Sequence, residues 1–153
     1  MLAGYFKKIG MRRFTVMAIG NLFLGMGISI FKLSGLGNDP FSGMVMALSD
    51  RTGITYALFL VMVNAVLFLY EITAGRKLIG AGTLINAFLL GYIVTFFYDI
   101  WLTFIGTPEQ MPQRVITVLT GVIITSFGVS LYQYPNVGVA PYDSISLIWC
   151  RKK

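Results

Sequence analysis

Residues 35–44 read Gly35-Leu36-Gly37-Asn38-Asp39-Pro40-Phe41-Ser42-Gly43-Met44, and residues 136–145 read Asn136-Val137-Gly138-Val139-Ala140-Pro141-Tyr142-Asp143-Ser144-Ile145. The two stretches align without a gap at an offset of 101 residues: Gly37 falls on Gly138, Pro40 on Pro141 and Phe41 on Tyr142. The same offset works upstream, pairing Arg13 with Arg114, Gly20 with Gly121, Gly27 with Gly128 and Ser29 with Ser130. Conservative matches lie between, Ile30 with Leu131, Phe31 with Tyr132 and Leu36 with Val137. Chance likeness between apolar helices does not produce gapless glycine and proline matches of this kind. Each quoted stretch opens a short apolar segment, Pro40–Ser49 and Pro141–Cys150. Proline suits the first helical position, where no backbone donor is needed. Ten or eleven helical residues reach only about 16 Å, roughly half a bilayer core. The expectation is a pair of half-helices that each enter the membrane and leave on the same side.

Around these segments lie four longer apolar runs, at about Arg13–Leu33, Gly53–Ile72, Leu78–Ile105 and Arg114–Tyr132. Each can cross about 30 Å of hydrocarbon. Hydrophobic residues make up 56% of the chain and charged residues only 12%, about half the charge of a soluble domain. The expected fold class is an all-α polytopic membrane protein with four transmembrane helices and two short re-entrant ones. The run after Lys7, Lys8, Arg12 and Arg13 is too long for a secretory signal core and is read as an uncleaved first span.

Charge fixes an expected orientation. With the N-terminus in the cytoplasm and the first short segment not crossing, the Arg76-Lys77 turn and the Arg151-Lys152-Lys153 end fall on the same side. Nine of the twelve Lys and Arg residues are then cytoplasmic, as the positive-inside rule prefers. The positive net charge is therefore a topology signal and not a nucleic-acid footprint. One unit reads span, half-helix, span, span. Three crossings invert whatever follows, so the second unit enters upside down, the plan of many transporters. Residues 1–153 form a single membrane domain in this reading, with the first repeat at about 13–105 and a partial second repeat at about 114–153. Two spans would be needed to complete the second unit. Either the chain is truncated, or a second copy or another membrane protein supplies those helices.

Gly35-Leu36-Gly37-Asn38-Asp39-Pro40-Phe41-Ser42, Gly80-Ala81-Gly82-Thr83-Leu84-Ile85-Asn86 and Gly138-Val139-Ala140-Pro141-Tyr142-Asp143-Ser144, in that order and spacing, resemble the YitT/YczE family of bacterial multi-spanning membrane proteins. The resemblance covers most of the chain and departs at Trp149-Cys150-Arg151-Lys152-Lys153, where the family pattern continues toward another span. It implies a bacterial plasma membrane location and an architecture, with little chemistry.

The candidate site residues follow from the half-helices and from polar groups inside spans. Asp39 stands at an N-cap position before Pro40, with Ser42 at the third helical position, and Asp143 takes that same position after Pro141. Short polar side chains there satisfy orphan backbone donors. If both helix starts lie near the midplane, the same groups line a polar path. Helix dipoles then favour an anion and the aspartates a cation, which leaves selectivity open. Asp99, in Phe97-Tyr98-Asp99-Ile100-Trp101, is a carboxylate within a span, although its aromatic neighbours also fit an interfacial belt. Asn21, Asn64 and Asn86 fall inside spans, and Asn86 is the preferred path residue of the three. Gly20, Gly27, Gly121 and Gly128 are spaced seven apart within each helix, as close helix packing requires.

No catalytic constellation, cysteine pair or metal-ligand spacing is present in the sequence, and there is no histidine. The chain is not expected to be an enzyme or to hold a metal or cofactor. The leading expectation is a permease or channel-like protein of undefined substrate. The alternatives are a non-transporting membrane scaffold or regulatory partner, and a truncated, non-functional family member.

Overall fold

A computed structural model describes residues 10–37, 39–74 and 78–151. These form six helices: α1 (Met11–Ser34), α2 (Pro40–Thr52), α3 (Tyr56–Ala74), α4 (Ala81–Phe104), α5 (Met111–Gln133) and α6 (Pro141–Arg151). Helices α1, α3, α4 and α5 are long and apolar enough to cross a membrane. The other two are short, with 13 residues in α2 and 11 in α6, or about 20 and 16 Å of axial rise.

Local chemistry sets the ends. The helix α1 stops at Gly35, which takes the left-handed conformation (φ 64°) and donates its N–H to the Lys32 carbonyl. Asp39 caps α2 by accepting from the Ser42 N–H at 3.0 Å, and Pro40 fills the first position. The left-handed Gly53 ends α2 (φ 69°), and the Ser49 hydroxyl donates to the Ile54 carbonyl at 2.9 Å. These bonds hold 53–55 as a turn, so α3 begins at Tyr56 and not at Gly53. Helix α5 starts at Met111, three residues before the expected Arg114, because Pro112 fits the first turn without needing a donor. Helix α4 starts at Ala81, after Leu78. The Gly82 N–H donates to the Val137 carbonyl at 3.0 Å and the Val139 N–H to the Leu78 carbonyl at 3.2 Å. That pairing ties the approach to α4 to the loop before α6.

The crossing of α1 and α5 is the largest helix–helix contact. A Cβ on Gly128 would lie 2.4 Å from the Leu24 nitrogen, and one on Gly27 would lie 2.7 Å from the Thr125 nitrogen. One on Gly20 would lie 2.3 Å from the Tyr132 nitrogen, and one on Gly121 would lie 3.2 Å from Phe31. These contacts are reciprocal. Leu24 and Thr125 are repeat mates, as are Phe31 and Tyr132, so exchanging the repeats maps each contact onto another. The pairing also runs antiparallel. The two repeats are therefore related by a local two-fold near Gly25–Met26 and Ser126–Phe127.

The symmetry is incomplete in packing. Half of the apolar stretch of α1 is buried but only 17% of that of α5, because α4 covers α1 and no described helix covers α5 in the equivalent place. The core gathers Leu24, Ile28, Val45, Tyr56, Leu60, Leu90, Val94 and Tyr132. The outer faces of α3, α4 and α5 carry Val66, Leu69, Phe96, Ile116 and Ile123 exposed. In a bilayer such side chains contact acyl chains, as an integral membrane protein requires.

Candidate functional site

The N-terminal ends of α2 and α6 meet. Phe41 and Tyr142, repeat mates one residue into each helix, stack with ring centroids 4.4 Å apart and planes at 14°. Around them lies a cavity of about 240 Å³ lined by Asp39, Ser42, Tyr56, Asn64, Asn86, Tyr132 and Asp143, with Leu24, Ile28, Leu60 and Leu90 as apolar wall. Its walls come from α1, the first halves of α3 and α4 and the last turns of α5, so the two helix starts open onto a space between the long helices.

Each polar group is held by its element. The Asp39 carboxylate is fixed by its capping bond to the Ser42 N–H. Asp143 accepts a hydrogen bond from the Tyr132 hydroxyl. Gln133 Nε2 donates to the Tyr132 oxygen at 3.1 Å and to the Asp143 carboxylate at 3.4 Å. Asn86 Nδ2 donates to the Asn21 side-chain oxygen at 3.1 Å, and Asn21 Nδ2 donates to the Met17 carbonyl at 3.0 Å. Asn64 Nδ2 donates to the Ala87 carbonyl at 3.4 Å. These bonds join α1 to α4 and α3 to α4 through buried amides. Asn64 and Asn86 thus join helices and line the cavity, whereas Asn21 joins helices without lining it.

Four sequence candidates, Asp39, Ser42, Asn86 and Asp143, share this cavity. Pro40 and Pro141 start the two helices beside it without lining it. Asp99 is elsewhere, on the exposed side of α4, and does not line the cavity. Gly20, Gly27, Gly121 and Gly128 lie at the α1–α5 crossing. Among the described residues no group of three or more His, Cys, Asp or Glu side chains is placed to hold a metal.

Sequence reasoning missed Tyr132 and Glu71. Tyr132 lines the cavity and bonds Asp143. Its repeat mate is Phe31, so it is a hydroxyl gained at a matched position, which was the available signal. Glu71, on α3, is fully buried, and neither carboxylate oxygen has a hydrogen-bond partner among the described residues. The rule that selected Asp99, an acid within an apolar run, applies equally to Glu71.

Four membrane-length helices and lipid-facing apolar surfaces, with polar side chains gathered in a largely apolar cavity, define an integral membrane protein of the small, all-helical, multi-spanning class. More particularly, the chain belongs to DUF6198, a family of unknown function, which it matches over residues 11–153. It is similar to Bacillus subtilis YyaS, named an uncharacterized protein, at 28% identity over 142 residues, covering 89% of this chain and 67% of that one. It is 26% identical to an uncharacterized protein of Haemophilus influenzae, over 90% of this chain and 61% of the relative. It is 24% identical to the uncharacterized membrane protein YczE of Bacillus subtilis, over 92% of this chain and 64% of the relative. The family is thus the YczE/YitT-like one, and the chain spans about two thirds of the length of these relatives. No solved structure matches it.

Proposed function

We propose that this protein is a permease of the bacterial plasma membrane, with its N-terminus cytoplasmic and its substrate path running through the cavity where α2 and α6 meet. The observation that carries the reading is the stacking of Phe41 on Tyr142 at the head-to-head starts of two half-length helices. Helices of about 20 and 16 Å whose N-termini meet inside the bundle are re-entrant from opposite faces. Discontinuous helices at an inverted-repeat interface are where transporters place substrate. Charge selects the class. Two helix N-termini contribute about half a positive charge each, whereas Asp39 and Asp143 contribute a full negative charge each when ionised. Among the described residues no Lys or Arg lines the cavity, so the balance favours a small cation, inorganic or amine.

The test is uptake by proteoliposomes containing the full chain, across monovalent cations, small amines and organic acids. Saturable cation uptake is expected. Asp39→Asn separates charge from fold, because asparagine caps a helix as well as aspartate does; it should lower uptake about tenfold or more while leaving the melting temperature near that of the parent. Uptake restricted to organic acids would overturn the reading.

A second observation favours a partner role alongside this one. A groove of about 320 Å³ is lined by Phe31, Leu36, Gly37, Val115, Val118 and Leu119. The mates of its Leu36, Gly37 and Val118, namely Val137, Gly138 and Met17, lie around the seat of the α4 start. There a Cβ on Gly138 would lie 2.7 Å from the Gly80 Cα, while one on Gly37 would meet nothing within 4 Å. Val137 is 5% exposed and Leu36 42%. We infer that the groove receives a transmembrane helix of α4 chemistry, apolar and entering with a Gly-x-Gly-Thr turn. A synthetic helix of residues 78–104, added to the full chain in detergent micelles, should bind with one-to-one saturation. Val118→Trp should abolish that binding, and a parent that takes up no peptide would refute the assignment.

A further inference from the structure

The buried Glu71 carboxyl, which faces Ser144 and has no hydrogen-bond partner among the described residues, lies outside the cavity. It lies on the same face of α3 as Asn64, which lines the cavity. Seven residues separate them, two helical turns or about 10 Å along the axis, toward the C-terminal end of α3. The neighbouring polar side chain is Ser144 on α6, itself fully buried. The Ser144 hydroxyl donates to the Pro141 carbonyl at 2.7 Å, so its oxygen lone pairs face outward from that bond. Asp143, the residue before Ser144, lines the cavity. The first turn of α6 therefore has the cavity on one side and Glu71 on the other.

Among the described residues, the other ionisable groups of the packed elements are bonded or exposed elsewhere. Asp39, before α2, caps that helix, and Asp50 and Arg51 lie exposed at its far end. On α4, Tyr92 and Asp99 are exposed, and Tyr98 faces the Lys32 ammonium at 4.3 Å from its ring centre. On α6, Asp143 is bonded to Tyr132 and Cys150 is exposed. An isolated ionised carboxylate in such a place costs several kcal/mol and needs a positive counterpart. A metal cation needs about six oxygen ligands, and one carboxyl with one hydroxyl falls well short of that. A proton needs one.

We propose that Glu71 is a proton-binding site of this protein, taking a proton from water on the side of the α3–α4 turn and returning it there. Its protonation is linked to the position of α6, and so to access to the cavity. The link to transport rests on the permease reading; proton binding by Glu71 does not.

The test is modification of the purified full chain in liposomes by dicyclohexylcarbodiimide, an apolar reagent that adds to protonated carboxyl groups, read by mass spectrometry. Glu71 should be labelled at least tenfold faster at pH 6 than at pH 9, equally in sodium and choline chloride, while exposed Asp50 reacts slowly. E71Q should remove that label and leave the rest of the pattern unchanged. Labelling of Glu71 that is absent or independent of pH would overturn the proposal, as would protection by sodium, which would mark a metal-cation site. In flux assays E71Q should lose the stimulation given by a pH gradient while retaining exchange of preloaded cation. Labelling as expected without flux in any variant would uphold the proton site and reject the permease.

Discussion

The hydroxyl of Tyr132 is the polar atom that most clearly divides the two repeats. It bonds Asp143, whereas its mate Phe31 has no group to offer Ser42, the mate of Asp143. Tyr132→Phe keeps the ring and deletes that bond. A hydrogen bond to a charged group contributes about 1.5–3 kcal/mol, so thermal or denaturant unfolding in detergent should show a loss in that range. Asn86→Leu removes the interhelical bond to Asn21 and leaves the Asn21 oxygen unpaired. Membrane-buried hydrogen bonds average about 0.6 kcal/mol and reach about 1.7, and the loss should lie within those bounds by steric-trapping or denaturant titration. At this scale the sequence was legible where residue type and position coincide. Asp39 before Pro40 announces a cap, and Asn86 inside an apolar run announces a partner. The Tyr132–Asp143 bond was not legible, because it spans a loop whose path no spacing rule specifies.

Among elements, the α1–α5 crossing carries the fold. Gly27, Gly128 and Gly20 have no room for a Cβ against facing backbone, and backbone cannot retract as a flexible side chain can. Gly128→Ala should destabilise by about 1–3 kcal/mol, the range for overpacked cores, and Gly27→Ala by a similar amount through its clash with Thr125. Ile19→Ala, on the exposed face of the same helix, should change stability by under about 0.5 kcal/mol. The stacked pair at the helix starts makes a separate prediction. A double-mutant cycle on Phe41→Leu and Tyr142→Leu should return a coupling of about 0.5–1.5 kcal/mol, typical of aromatic pairs. Hydropathy located all four long helices and both short ones, since length and apolar content suffice for that. It misplaced the starts at Tyr56, Ala81 and Met111, which depend on a local turn closed by Ser49, on hydrogen bonds to the distant loop before α6, and on Pro112 in the first turn, respectively. The seven-residue glycine spacing announced close packing; that the two striped helices pack on each other, antiparallel and reciprocally, required the structure.

For the whole molecule, the 101-residue offset was the most informative reading, because a repeat constrains every pair of matched positions at once. It could not reveal that α1 is covered where α5 is bare, since burial depends on which helix arrives from elsewhere in the fold. The inverted arrangement predicts which positions share a side of the membrane. Cys150 at the end of α6 and Asp50→Cys at the end of α2, the latter in a Cys150→Ser background, should react with an impermeant maleimide from opposite faces of sealed vesicles. Reaction from one face alone would defeat the arrangement. The two-fold also has a mechanical meaning. On the permease reading, motion about this two-fold would keep the central crossing intact, because each of its contacts trades places with its mate. The exchange is not evenly balanced. α6 is latched to α5 by the Tyr132–Asp143 bond, whereas the repeat mates of those two residues, Phe31 and Ser42, cannot make the equivalent bond between α1 and α2. The protein should therefore behave as a ratchet with one stiff pawl. Hydrogen exchange should be faster in the first turn of α2 than of α6, and Tyr132→Phe should bring the two rates together.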